Sequence, residues 1–297
     1  MRLQDIYIRD PFVLEENGVY YLYGTMGEFS WKGCCGFDVY TSSDLINWSG
    51  PYPVFRPEAG FWADNNFWAP EVHKYRGNFF MLASFYKEGA MRATQILKAE
   101  SPLGPFVPIT PEPQTPGDWM CLDGTLYVDG QGKPWMVFCH EWLQVTDGEI
   151  CAMPLTEDLS RAAGEPVLLF NASQAKWTIS GAKGEYITDG PFLYRKRDGE
   201  LLMLWSSFGR DGYSLAVAHS RSGSVLGPWV NEEEPLFSCN GGHGMLFQDS
   251  QGTLLLSLHQ PDHPYGQERP VFVPVRESQE HGLEMAESCC VECRLEA

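Results

Sequence analysis

A chain of 297 residues, 43% hydrophobic and 13% aromatic, is long and apolar enough to bury a sizeable core, which excludes a disordered protein. Its 39 acidic and 21 basic side chains give a formal net charge of −18. Such a surface repels phosphate backbones and anionic lipids, and the chain has no apolar run long enough to span a membrane, so we expect neither nucleic acid nor membrane as a partner.

The N-terminus and the cysteines predict a cytoplasmic location. The first residues, MRLQDIYIRDPF, contain no apolar signal-peptide core and no small-residue cleavage site. The nine cysteines include two adjacent pairs, Cys34-Cys35 and Cys289-Cys290, without the spacing of a disulfide framework. We therefore expect free thiols in a reducing compartment. The CxxC spacing of Cys290 and Cys293 lacks the second ligand pair of a zinc site and is interpreted as a strand or tail.

One sequence unit recurs five times along the chain. It has a polar or small first residue, an apolar run, a turn containing glycine, and a second apolar run rich in aromatic residues. The copies are DPFVLEENGVYYLYGT from Asp10, APEVHKYRGNFFMLAS from Ala69, DGTLYVDGQGKPWMVFC from Asp123, DGPFLYRKRDGELLMLW from Asp189 and HGMLFQDSQGTLLLSL from His243. The turn glycines are Gly18, Gly77, Gly132, Gly199 and Gly252.

A second marker follows four of these hairpins. It is an Asp-Leu turn at residues 44–45 and 158–159, and a Leu-Gly-Pro-aromatic segment at 103–106 and 226–229. The copies start 54 to 66 residues apart, and a unit of about four strands and this length is typical of a propeller blade. The sequence therefore predicts an all-β fold, a single five-bladed β-propeller domain over residues 1–297. The alternative is a β-sandwich with similar hairpins, which the persistence of the period disfavours.

The first residues of the copies carry the candidate chemistry. In a propeller the first strand of each blade lies nearest the axis, so these residues should surround one end of a central channel. They are Asp10, Ala69, Asp123, Asp189 and His243. One such aspartate is usually a turn residue, but three converging on one channel mouth cost desolvation energy and indicate function or a bound cation. Paired carboxylates, one ionised and one protonated, serve the cleavage of glycosidic bonds.

Five short motifs resemble those of family 43 glycoside hydrolases, in the same order along the chain. They are Arg-Asp-Pro-Phe at 9–12, Trp-Ala-Pro-Glu at 68–71, Leu-Asp-Gly at 122–124, Thr-Asp-Gly-Pro at 188–191 and Gly-His-Gly at 242–244. The resemblance implies a five-bladed propeller and an inverting hydrolase that releases α-L-arabinofuranosyl or β-D-xylosyl residues from plant-polysaccharide oligosaccharides.

The resemblance also implies roles for individual residues. Asp10 matches the general base, Asp123 matches the aspartate that tunes and orients the acid, and Asp189 falls at the position of the general acid. His243 matches a channel histidine that helps to hold a hydrated calcium ion in many members. Arg269, in ERPVFVPV, resembles an arginine that contacts the sugar, and its alternative interpretation is a surface arginine. No cofactor is expected to be required, and a structural calcium ion in the channel is the one considered.

The candidate acid departs from the family pattern, which has glutamate there. Aspartate is one methylene shorter, so its oxygens retract by about 1.5 Å. Three interpretations follow: a site rebuilt around the shorter acid, which we prefer; another acid, Glu185 or Glu141; or an inactive propeller that only binds sugar. Cleavage of another sugar, such as a β-galactofuranoside, and a propeller that only chelates calcium are further alternatives.

Aromatic side chains are expected to stack on the substrate. Seven are candidates: Trp31, Trp62, Phe67, Trp68, Trp119, Trp142 and Trp205. Most tryptophans in a β-rich core are packing residues, so only two or three of them should touch sugar. Phe67 and Trp68 are first because they precede a channel position directly, and Trp205 is the third choice. His73, His140 and His259 are interpreted as core or surface histidines. The sequence gives no indication of oligomeric state.

Overall fold

A computed structural model describes residues 1–27 and 36–286. Within these residues, twenty strands form five four-stranded antiparallel sheets, and the strands of each sheet follow one another in chain order. The predicted five-bladed β-propeller is confirmed. Trp31, the Cys34-Cys35 pair and the three cysteines from Cys289 to Cys293 lie outside the described residues.

Each blade runs from an innermost to an outermost strand. The first three blades contain β1 (Ile8–Glu16), β2 (Val19–Met26), β3 (Phe37–Ser42) and β4 (Ser49–Phe55); β5 (Asn65–Tyr75), β6 (Asn78–Tyr86), β7 (Ala93–Ala99) and β8 (Val107–Pro108); and β9 (Cys121–Val128), β10 (Pro134–His140), β11 (Glu149–Pro154) and β12 (Val167–Asn171). The last two contain β13 (Asp189–Arg195), β14 (Leu201–Gly209), β15 (Gly212–Ser220) and β16 (Trp229–Asn231); and β17 (Gly242–Gln248), β18 (Leu254–Gln260), β19 (Arg269–Glu277) and β20 (Leu283–Met285). The described helical segments are the short α1 (Trp142–Val145) and 3₁₀ turns at Leu3–Asp5 and Ala172–Gln174.

The innermost strands surround one axis. β1 contacts both β5 and β17, and β13 contacts both β9 and β17, so the fifth blade packs directly against the first. Within residues 1–27 and 36–286, the four strands of the fifth blade, β17 to β20, all come from one continuous segment. Ion pairs contribute to this closure. The Arg9 guanidinium in the first blade contacts Asp262 at 2.7 Å and Glu268 at 2.9 Å in the fifth.

The predicted hairpins coincide with the first two strands of each blade. All five turn glycines have φ between 78° and 95°, a backbone conformation that glycine adopts without a steric cost. In the first blade the turn is Asn17-Gly18, with positive φ at both residues, as a two-residue hairpin turn requires. The Asp-Leu and Leu-Gly-Pro markers lie between the third and fourth strands of their blades, which confirms that they mark the outer edges.

The core fills the spaces between neighbouring blades. On β14, Leu201, Met203 and Trp205 pack toward the third blade, whereas Leu202 and Leu204 pack toward the fifth. This alternation is the period-2 pattern of a strand that is buried on both faces. Each fully buried side chain of this size contributes roughly 1.5–3 kcal/mol relative to exposure. The packed blades thereby hold the starts of the innermost strands in fixed positions around the axis.

Candidate active site

A cavity of about 370 Å³ lies where the innermost strands begin. All three predicted carboxylates and His243 line it. The lining consists of Arg9, Asp10, Thr25, Trp68, Arg92, Leu122, Asp123, Glu141, Trp142, Leu143, Ile187, Asp189, Phe208, Tyr213, His243, Asp262 and Tyr265. Every blade contributes to it, so the site exists only in the assembled propeller.

A β-bulge interrupts each innermost strand near its start and turns one residue toward the axis. The residues at this position share a left-handed backbone: Asp10 (φ 51°), Ala69 (φ 47°), Asp123 (φ 55°), Gly190 (φ 52°) and His243 (φ 52°). A residue other than glycine in this region is strained by about 1–3 kcal/mol, and such strain concentrates at functional sites.

This register corrects the prediction for the fourth blade, because Gly190 and not Asp189 occupies the axial position. Asp189 pairs with Ser206 as Arg9 pairs with Thr25, so the segments 9–12 and 189–192 match residue for residue. A Cβ at Gly190 would lie 2.7 Å from the His243 ring, so no side chain fits there. Asp189 instead reaches the cavity from one residue earlier in the strand.

The bulges are held by side chains from the preceding blade. Four backbone N–H groups donate to the second strand of the neighbouring blade: Ala69 to Thr25 Oγ1 (2.7 Å), Asp123 to Ser84 Oγ (2.8 Å), His243 to Ser206 Oγ (2.8 Å) and Asp10 to His259 Nδ1 (3.3 Å). The Gly190 N–H donates to Asp123 Oδ2 at 3.1 Å. The repeat pattern did not reveal this second ring, although Thr25 and Ser84 end the second apolar run of their copies and Ser206 and His259 directly follow theirs.

Asp10 is held in the ionised form. Its Oδ2 accepts the Thr25 hydroxyl at 2.6 Å, and its Oδ1 lies 3.2 Å from His243 Nδ1. Burial opposes ionisation, but the electrostatic attraction of His243, His259 and Arg9, together with the Thr25 hydrogen bond, outweighs it and lowers the pKa of Asp10. This carboxylate can therefore accept a proton from water.

The pKa values of Asp189 and Asp123 are shifted in the opposite direction, upward. Burial, followed by repulsion from Asp10 and Asp262, raises the pKa of Asp189 to about 7, although a hydrogen bond from the Tyr213 hydroxyl (3.0 Å) opposes the shift. Burial and then repulsion from Asp189 and Asp10 raise the pKa of Asp123 well above its usual range. The cavity thus separates an ionised carboxylate from carboxyls that retain a proton near neutral pH, the division that acid–base hydrolysis requires.

A buried network of hydrogen bonds and ion pairs holds Asp10 in place. Asp262, 2% exposed, accepts from Arg9 and lies 3.3 Å from His259 Nε2. His259 Nδ1 accepts the Asp10 N–H at 3.3 Å, so Nε2 is the ring nitrogen that faces Asp262. The interpretation of His259 as a core histidine is right about its burial but missed this contact. No motif pointed to Asp262.

Of the candidate aromatic side chains, Trp68 and Trp142 line the cavity. Phe67 is 5% exposed among Phe37, Phe55 and Phe85, and Trp205 is fully buried against Trp177. Arg269 contacts the Tyr7 ring and donates to the carbonyls of Gln4 and Glu268 outside the cavity lining. Burial makes the predicted sugar contacts of Phe67 and Trp205 wrong, because the strand pleat and the neighbouring blade decide which way a side chain points. The sugar contact of Arg269 stays a prediction.

Of the two alternative acids, Glu141 lines the cavity and Glu185 does not. Glu141 is 2% exposed and accepts from the Arg92 guanidinium at 3.1 Å. Burial raises the pKa of Glu141, and the attraction of Arg92 limits the rise. Arg92 also stacks on the Trp68 ring at 4.2 Å and so holds the indole against the cavity.

His243 lies on the axis, as predicted, with Nδ1 at 3.2 Å from Asp10 and 3.7 Å from Asp123. Calcium takes six to eight oxygen ligands. Across residues 1–27 and 36–286, no three side chains of the metal-binding types converge in a way that could hold an ion. These residues do not fit direct coordination of calcium, so no chemical step is derived through it.

The axial cavity of this five-bladed propeller combines an ionised carboxylate with carboxyls of raised pKa, the two states that glycosidic cleavage uses. The profile of glycosyl hydrolases family 43 matches residues 5–278. The chain belongs to this family and is a glycoside hydrolase.

The chain is similar to three proteins with described activities. An endo-arabinase structure from Bacteroides thetaiotaomicron has a TM-score of 0.87 and 41% sequence identity, over 94% of this chain and 98% of the other. The extracellular exo-α-(1→5)-L-arabinofuranosidase ArbA of Cellvibrio japonicus is 25% identical over 79% of this chain and 70% of its own length. The extracellular endo-α-(1→5)-L-arabinanase 1 of Bacillus subtilis is 22% identical over 79% and 71%.

The prediction of free thiols holds for only some of the described cysteines. Cys121, Cys139 and Cys151 are buried free thiols, but Cys239 is disulfide-bonded, so the prediction is wrong for that residue. In the described part of the chain, no helix has the length and apolar character to cross a bilayer.

Proposed function

We propose that this glycoside hydrolase cleaves α-L-arabinofuranosyl linkages in arabinan-derived oligosaccharides with inversion of configuration. The names of the relatives support arabinose as the sugar: the solved structure at 41% identity is an endo-arabinase, and both curated relatives act on α-(1→5)-L-arabinofuranosyl linkages. The alternative β-xylosyl specificity has support from neighbours below 25% identity, such as an endo-1,4-β-xylanase structure at 22%. Similarity at that level shows the fold but does not show the substrate.

The hydrolytic part of this proposal rests on one observation: Asp10 and Asp189 line the same cavity, and their pKa values are shifted in opposite directions. Asp10, ionised, takes a proton from a water molecule, and the water oxygen attacks the anomeric carbon. Asp189, protonated, gives its proton to the glycosidic oxygen as the bond to the anomeric carbon breaks. Asp123 accepts the Gly190 N–H, while repulsion from Asp10 and Asp262 disfavours the negative form of Asp189 and so favours the protonated acid.

Proton NMR of the first product tests three points together: which sugar is released, whether the protein is active, and whether the configuration is inverted. We expect arabino-oligosaccharides to release the β-anomer of L-arabinofuranose first, because water attacks the face opposite the leaving group. The α-anomer as first product would contradict inversion. Faster turnover of a β-xyloside or β-galactofuranoside in the same aryl-glycoside panel would contradict the sugar. Calorimetric binding of the oligosaccharide without turnover would indicate an inactive sugar-binding propeller.

We also propose that hydrolysis requires no cofactor, because the acid, the base and the tuning carboxyl all belong to this chain. Dialysis against EDTA is therefore expected to leave kcat unchanged. The melting temperature of the same sample, measured with and without added calcium, separates catalysis from structure. Loss of kcat at an unchanged melting temperature, restored by calcium, would contradict this prediction.

The predicted cytoplasmic location is a separate proposal, supported by the three free thiols. The disulfide at Cys239 and the extracellular descriptions of both curated relatives favour an oxidising compartment instead. Immunodetection of the protein in cell and medium fractions of its native host distinguishes the two, and recovery mainly from the medium would overturn the cytoplasmic proposal.

A further inference from the structure

The Tyr213 hydroxyl is the hydrogen-bond donor that reaches the candidate acid from within its own blade. Tyr213 lies on β15, and its hydroxyl donates to Asp189 Oδ2 at 3.0 Å. The side chain is 3% exposed. Its ring stacks on the His259 imidazole, with centroids 5.6 Å apart and an interplanar angle of 19°, and its other ring neighbour is Phe208 at 5.3 Å.

The fifth blade leaves room for this ring and fixes its backbone. A Cβ at Gly242 would lie 2.7 Å from Tyr213 Cε1, so the close approach requires glycine at that position. The neighbouring Gly241 N–H donates to the Tyr213 carbonyl at 2.9 Å. The phenol is therefore confined on both sides, and its hydroxyl is a fixed point beside Asp189.

We propose that Tyr213 is the positioning residue of the acid: it holds Oδ2 of Asp189 and thereby assigns the transferable proton to Oδ1. This inference rests on the proposed function. A carboxyl oxygen that already accepts a strong hydrogen bond is the carbonyl-like oxygen of the protonated group, so the proton resides on the other oxygen. Oδ1–H can then give its proton to the glycosidic oxygen while the water proton passes to Asp10, and exchange with solvent restores both groups.

The phenol remains a donor during the reaction. Burial and then the negative charge of Asp189 raise the pKa of Tyr213 well above its ordinary value of 10.0. The other charged groups that act on Asp189 are Asp10, Asp262 and Arg9, with Asp123 close by.

Positioning matters more for an aspartate than for the glutamate usual in the family. With one methylene less, Asp189 cannot adjust its reach by a further side-chain rotation. A misplacement of about 1 Å can cost on the order of 100-fold in rate. A donor on a confined ring, attached to the third strand of the same sheet, removes that freedom.

Leaving-group dependence in Tyr213→Phe tests the inference. Two substrates are compared: arabinobiose, whose leaving alcohol needs a proton, and 2,4-dinitrophenyl α-L-arabinofuranoside, whose leaving group departs without one. We expect kcat on arabinobiose to fall roughly 10- to 100-fold, and on the activated glycoside by less than about 3-fold. Because the lost hydrogen bond favoured the ionised acid, the alkaline limb of the pH profile should move to higher pH.

Tyr23→Phe is the matched control, since Tyr23 is also fully buried and its hydroxyl donates to the Pro102 carbonyl at 2.7 Å. Tyr213→Phe would overturn the inference if it lowered both substrates equally, or if it behaved like Tyr23→Phe on both. Asp189→Asn separates this from the proposed function. If Asp189→Asn shows the leaving-group dependence and Tyr213→Phe does not, only the inference fails. If Asp189→Asn lacks it, or the wild type is inactive, the proposed function fails, and the inference with it.

Discussion

Asp10→Asn is expected to lower kcat for arabinobiose by roughly 10²- to 10⁴-fold, the usual contribution of a general base. The amide can still accept the Thr25 hydroxyl bond, so the bulge should survive while the group that takes the water proton is lost. Steady-state kinetics on arabinobiose and on the activated dinitrophenyl glycoside measure the effect. Both substrates should be affected, because both need the attacking water.

The control for this variant is Asp38→Asn, in the same blade. Asp38 pairs with Arg56 outside the cavity lining, so the variant removes one carboxylate from the first blade without touching the site. We expect it to retain wild-type kcat. An Asp10→Asn enzyme with wild-type kcat and an unchanged melting temperature would show that Asp10 is not the base.

Asp189→Asn is expected to lower kcat for arabinobiose by roughly 10²- to 10⁴-fold and to spare the activated glycoside. In the wild-type enzyme, the acid must be protonated, and its pKa is about 7, so activity should fall as pH rises through about 7. The base must be ionised and its pKa is lowered, so activity should fall on the acid side only below the ordinary aspartate value of 3.8. A pH profile of kcat/KM measures both limbs.

Asp189→Glu tests whether the site is built around the shorter acid. It restores the family residue but extends the carboxyl by about 1.5 Å, past the position that the Tyr213 hydroxyl holds. We expect a lower kcat with the alkaline limb retained. A glutamate variant faster than wild type would contradict a site rebuilt around aspartate. Loss of the alkaline limb in Glu141→Gln, with Asp189→Asn fully active, would instead make Glu141 the acid.

Much of this fold can be predicted from the sequence, because each blade is formed by one continuous segment of the chain. Each is a meander of four consecutive strands, so its hairpin turns, its apolar runs and its outer-edge turns appear as consecutive signals. The five copies therefore predicted the propeller, and their first residues predicted that Asp10, Asp123, Asp189 and His243 converge at one end of its channel, where all four line the cavity.

The tertiary structure alone decided the details that set the chemistry. A one-residue shift at a bulge, invisible in the repeat, placed Gly190 on the axis and Asp189 beside it. Side-chain direction, which depends on the pleat and on the neighbouring blade, buried Phe67 and Trp205 and left Trp68 at the cavity. Asp262 and His259 come from the fifth blade and approach Asp10 only when that blade closes on the first, and Tyr213 reaches Asp189 only across the folded sheet of the fourth blade, because electrostatic coupling depends on distance in space and not along the chain.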